Sequence, residues 1–88
     1  MQFKGVRFHL VGIGGSGLSA IARVLVERGA VVSGSDLKAS PAADALARDG
    51  ALVFVGHRAE YVEGADYVVI SSAVSETNVE VQAARAAS

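Results

Sequence analysis

Cysteine is missing altogether from the 88 residues, which excludes a disulfide framework and any thiolate-bound metal. An excess of one charge is missing too. Eight Lys and Arg against nine Asp and Glu leave a formal net charge of −1, so no basic field marks the chain for nucleic acid. No apolar run approaches membrane-spanning length, and Met1 to Arg7 carries charges where a signal peptide needs an apolar core. The expectation is a cytoplasmic protein without membrane insertion. The two histidines, His9 and His57, are far apart and form no recognisable metal motif, so no metal site is expected. Ser16, Ser71 and Ser72 have no assigned base, and the carboxylates read as scattered over helix and loop surfaces. No catalytic residue is assigned.

What is present is an apolar, globular composition, 51% hydrophobic and 19% charged, in one small domain with a modest core. It is organised around Gly12-Ile13-Gly14-Gly15-Ser16-Gly17, between the apolar run ending at Val11 and a helical pattern that begins near Leu18. The G-x-G-x-x-G spacing is that of a Rossmann-type turn. Gly12 serves the tight turn, Gly14 the backbone approach to a phosphate and Gly17 close helix packing. Ser16 and the free N–H groups of the first helical turn face a diphosphate, favoured there by the helix dipole. Asp36 follows 19 residues after Gly17 at the end of a second apolar segment, near the spacing for a carboxylate that takes ribose hydroxyls.

The chain then reads in order as strands and helices. Arg7 to Val11 is the first strand, with His9 a hydrogen-bonded core or face residue. Leu18, Ile21, Ala22 and Leu25 give the first helix its buried stripe, and Gly29 ends it as a left-handed cap. Val31 to Ser35 is the second strand. Ser40 and the single proline, Pro41, are N-cap and first residue of a helix that stops before Gly50. Leu52 to Val55 is the third strand, Ala59 to Val62 a short helical turn, and Tyr67 to Ile70 the fourth strand. Thr77 or Asn78 caps the last helix, with Thr77 and Glu80 spaced for a capping box and Val79, Ala83 and Ala86 as the apolar stripe. Alternating βαβ units predict an α/β, Rossmann-like doubly wound parallel sheet of about four strands, order 3-2-1-4, with helices on both faces. The glycine turn, the Asp36 loop and the Ser71-Ser72-Ala73 loop then meet at its switch point, with His57 farther along the same edge.

Several blocks, His9-x-Val11-Gly12-Ile13-Gly14-Gly15-Ser16-Gly17-Leu18-Ser19, Ser33-Gly34-Ser35-Asp36, Gly56-His57 and Val69-Ile70-Ser71-Ser72-Ala73-Val74, agree in order and spacing with one family. The chain resembles the N-terminal domain of the Mur ligases over nearly its whole length. The resemblance implies a domain holding the UDP part of UDP-N-acetylmuramic acid, followed soon after Ser88 by a central ATP-binding domain and a C-terminal domain. It implies that Gly12, Ile13, Gly14, Gly15, Ser16 and Gly17 hold the diphosphate, while Asp36, His57, Ser71, Ser72 and Ala73 surround the uridine and sugar. The implied reaction is ATP-dependent: the muramic acid carboxylate becomes an acyl phosphate, which the amine of L-alanine attacks.

Two positions depart from the family pattern. Leu18 stands where methionine is frequent, and Val79 where proline often follows asparagine, weakening the helix start without touching a proposed ligand contact. No Gly-x-x-Gly-Lys-Thr/Ser loop occurs, so these residues hold no recognisable ATP site. No cofactor is expected on this domain, with ATP and Mg2+ belonging to the parent enzyme. Two other readings stand beside this one. Gly12, Gly14, Gly17 and Asp36 would serve NAD in a half-domain of an oxidoreductase or transport regulator, but that fingerprint does not require Gly15-Ser16, Gly56-His57 or Ser71-Ser72-Ala73. A scaffold without ligand would leave the phosphate loop idle.

Overall fold

A computed structural model describes residues 2–87. Four parallel strands, β1 (Arg7–Val11), β2 (Val31–Asp36), β3 (Leu52–Val55) and β4 (Tyr67–Ile70), form one sheet in the order β3-β2-β1-β4. This is the predicted order. Helices α1 (Ser16–Glu27), α2 (Pro41–Arg48) and α3 (Val79–Ala87) alternate with them, and a single 3-10 turn covers Ala59–Val62. The register sets Leu10 beside Gly34 and Val69, and Val11 beside Ser35 and Ile70. Gly12, Gly56 and Ser71 therefore leave β1, β3 and β4 at the edge where Asp36 ends β2.

Strand alternation divides the residues between two faces. Leu10 and Val32 point to the side where Ala22 and Leu25 of α1 and Leu46 of α2 complete the buried core. His9 points to the opposite side, where it meets Glu80 of α3. Ser40 caps α2 as expected, its Oγ accepting from Ala43 N–H at 3.1 Å with Pro41 in the first helical position. At the end of α1, Gly29 adopts φ +86° while Gly29 and Ala30 N–H donate to the carbonyls of Val26 and Leu25. That is a Schellman cap, and it turns the chain directly into β2.

Three expectations are corrected. Ile21 is 45% exposed, because the buried arc of α1 is centred on Ala22 and Leu25 and Ile21 falls at its margin. On α3 the stripe is rotated by about one residue: Val79 and Ala86 are exposed, while Glu80 and Val81 are fully buried. Gly17 does not serve close packing, since a Cβ there would meet nothing within 4 Å. Gly34 has that role. A Cβ on Gly34 would lie 2.7 Å from Ile13 Cβ, so its hydrogen is what lets fully buried Ile13 settle onto β2.

The two glycines thus make a contrasting pair. Gly34→Ala is expected to lower the unfolding free energy by about 1–3 kcal/mol through overpacking against Ile13. Gly17→Ala, in a helix and facing open space, is expected to raise it by about 0.4–1 kcal/mol through a less flexible unfolded chain. Urea denaturation of both variants measures the two signs.

Candidate nucleotide-binding cleft

A cleft of about 600 Å3 opens at the carboxyl ends of the strands. Its floor is backbone. Gly12 turns out of β1 at φ +90°, and a Cβ there would lie 2.9 Å from Ser71 Cβ, so the β1 and β4 exits can approach this closely only with glycine. Gly12 and Ile13 N–H donate to the Ser35 carbonyl at 2.8 and 3.0 Å, and Gly15 N–H donates to the Gly12 carbonyl at 3.1 Å. The first helical bond of α1 runs from Ser19 N–H to the Gly15 carbonyl, at 2.7 Å. The N–H groups of Ser16, Gly17 and Leu18 precede it, and a helix start leaves such donors without intrahelical partners.

Asp36 acts as a latch on this turn. Its Oδ2 accepts from Gly14 N–H and its Oδ1 from Leu37 N–H, both at 2.8 Å. Sequence spacing assigned Asp36 to ribose hydroxyls and Gly14 to phosphate approach; the geometry joins the two residues to each other. Each carboxylate oxygen retains acceptor capacity beyond these bonds, and Asp36 lines the cleft, so a hydroxyl can still be received.

Beneath the cleft lies a charged group that the sequence reading placed on the surface. Glu80 is fully buried, and four donors surround it. His9 Nε2 at 2.6 Å and Ser35 Oγ at 2.7 Å address Oε1; His57 Nδ1 at 2.9 Å and Arg58 N–H at 3.2 Å address Oε2. Four donors match the full acceptor capacity of an ionised carboxylate. Burial pushes the Glu80 carboxyl upward, but the hydrogen bonds from His9, Ser35 and His57 outweigh it and hold the group below its ordinary value. Asn78 settles the cap: its Oδ1 accepts from Glu80 N–H at 2.8 Å, while Thr77 hydroxyl pairs with Ser75. The capping box with Thr77 does not form, because the Glu80 side chain is turned into the molecule.

Of the residues singled out from the sequence, Gly12, Gly14, Gly15, Asp36, His57, Ser71 and Ala73 line the cleft together. Ser16 and Gly17 stand beyond its lining at the start of α1, and exposed Ser72 lies outside it as well. Ile13 contributes no side chain to the cleft, being wholly in the core with its N–H committed to Ser35. Ser71 shapes its own loop, its Oγ accepting from Ala73 N–H at 3.2 Å. Sequence reasoning missed Lys38, the one cation in the lining. The signal was there, two residues past Asp36 in the loop at the β2 exit. Among the described residues no cluster of three or more His, Asp or Glu is suited to a metal, and no helix is long and apolar enough to cross a membrane.

A parallel sheet with a glycine turn at its switch point and an acidic residue ending β2 defines a Rossmann-type domain. The model of the Mur ligase family, catalytic domain, matches residues 7–88. The UDP-N-acetylmuramate–L-alanine ligase of Dichelobacter nodosus is 58% identical over 76 residues, 86% of this chain and 16% of that protein. The ligase of the same name from Jannaschia sp. is 60% identical over 77 residues, 88% of this chain and 16% of that one. The crystal structure of the UDP-N-acetylmuramate-alanine ligase of Thermotoga maritima superposes with a TM-score of 0.87 at 34% identity, over 92% of this chain and 19% of that one. The chain belongs to the Mur ligase family. It spans about a sixth of the length of the curated relatives it matches.

The buried carboxylate makes stability acid-sensitive. Because Glu80 binds its proton less readily folded than unfolded, its contribution is complete above the ordinary value of 4.5 and is lost as pH falls through the lower folded value. Urea midpoints measured downward from pH 6 should fall across the acid end of that range. In Glu80→Leu the fall should be shallower.

Proposed function

We propose that the cleft binds the UDP part of UDP-N-acetylmuramic acid for an ATP-dependent ligase that joins L-alanine to it in peptidoglycan precursor synthesis. The observation that carries this reading is the backbone floor at the switch point, with a glycine turn leading into the unbonded N–H groups of α1. A diphosphate is doubly anionic, and amide donors at a helix start favour an anion that glycines allow to come close. Ser16 and Gly17 supply donors at the rim; Gly14 and Gly15 supply the open surface beside them. Asp36, His57, Ser71, Ser72 and Ala73 are assigned to the nucleoside and sugar side. Similarity to ligases named for this substrate and for L-alanine supports that choice over NAD.

The chain is read as one UDP-sugar-binding domain, residues 1–88, of a longer ligase whose central and C-terminal domains are its partners. ATP and Mg2+ belong to the central domain, since no Gly-x-x-Gly-Lys-Thr/Ser loop occurs here. The reaction is assigned to the cytoplasm. Alone, the chain should release no phosphate from ATP.

Calorimetry with UDP, UDP-N-acetylmuramic acid and NAD side by side tests the assignment. UDP-N-acetylmuramic acid should bind most tightly, and tighter binding of NAD would overturn the reading in favour of an oxidoreductase half-domain. Gly14→Val should abolish binding: a Cβ at Gly14 would lie 2.9 Å from both Asp36 Oδ2 and Ser40 Oγ, forcing the latch open.

A further inference from the structure

His57 is among the residues that line the cleft, and its Nδ1 touches the buried carboxylate. We propose that Glu80 is a positioning residue that fixes the neutral form of the His57 ring as the Nδ1–H tautomer, presenting Nε2 to the cleft as a hydrogen-bond acceptor.

Both partners of Nδ1 require this protonation. Glu80 Oε2, 2.9 Å away, is a carboxylate oxygen and only accepts. Ser35 Oγ, 3.0 Å from Nδ1, donates its own hydrogen to Glu80 Oε1 at 2.7 Å and so offers the ring a lone pair. Arg58 N–H, from the next residue in the chain, donates to the same Oε2 and holds the carboxylate plane. On the other oxygen, His9 donates through Nε2 at 2.6 Å while Ser33 Oγ lies 2.7 Å from its Nδ1. The carboxylate is thereby held on three sides by β1, β2 and the β3 exit loop, and has no freedom to release His57. A second partner that fixes which ring nitrogen carries the proton is a recurrent device wherever the other nitrogen has work to do.

The consequence is a chemical preference. An acceptor at this corner fits an N–H or O–H donor, as uracil N3 and ribose hydroxyls provide, and repels a phosphate oxygen. This refinement rests on the nucleotide reading above. It assigns His57 to the nucleoside and the α1 start to the diphosphate.

The test combines a spectrum with a cycle of variants in the full chain. Ring 15N shifts of ligand-free wild type, recorded well above the ordinary imidazole titration range, should report Nδ1–H for His57. Glu80→Leu removes the carboxylate at similar apolar volume but leaves its donors without an acceptor, so it is expected to be less stable; urea denaturation first establishes the conditions under which it is folded, and affinities are compared there. The substitution frees the Ser35 hydroxyl to donate to Nδ1, so the ring should shift toward Nε2–H, and UDP should bind roughly fivefold to tenfold more weakly. In a His57→Ala background the same substitution should cost no further affinity. An Nε2–H ring in wild type, or an equal loss of affinity with and without His57, would overturn the proposal. Failure of wild type to bind UDP would count against the nucleotide reading alone, because the tautomer is read without ligand and decides the positioning role on its own.

Discussion

A carboxylate buried without solvent must be met by donors on every lone pair, and Glu80 imposes that condition on four separate pieces of the chain. His9 comes from β1, Ser35 from β2, His57 and Arg58 from the segment leaving β3, and Glu80 itself from the first turn of α3. Burial supplies the force that keeps α3 on the sheet only if this polar set is complete. A helix with two fully buried residues, one of them charged, is thus tied to its place by chemistry more than by apolar area.

Above that anchor the floor of the cleft is backbone, held in shape by few side chains. Asp36 spends its carboxylate on Gly14 and Leu37, and the Ser35 carbonyl gathers Gly12 and Ile13, so the turn has one shape before anything binds. Preorganised donors are worth more than flexible ones, because no ordering cost remains at the moment of binding. Gly34 extends the same logic into the core, where its missing Cβ leaves the room that Ile13 fills.

Most of the sheet was legible because each strand is a short apolar run and each helix carries a local stop or start signal, as at Ser40-Pro41 and Gly29. Strand order followed from handedness and from the position of the glycine turn. What stayed hidden was pairwise. A glutamate in the first turn of a helix normally faces water, and the donors that turn Glu80 inward, from His9, Ser35, His57 and Arg58, lie 71, 45, 23 and 22 positions away. The apolar stripe of α3 was misplaced for the same reason, since periodicity counts Val79 and Ala86 as core and a glutamate as surface. The close-packing role was assigned to Gly17 and belongs to Gly34, because spacing names glycines without saying which neighbour fills the space. Lys38 escaped notice in a loop whose length and path sequence periods do not describe.

The floor of the cleft has one more implication, for how such a surface can change over generations. Amide groups are common to every residue, so replacing one side chain by another leaves the donors at the start of α1 where they were. The positions at which a substitution would alter that floor, Gly12 and Gly14, are those where a Cβ strikes Ser71 or Asp36. A compound that gripped the amides at the start of α1 would leave the chain little room for mutational escape, because the changes that disturb the compound also disturb the loop proposed to hold the natural ligand.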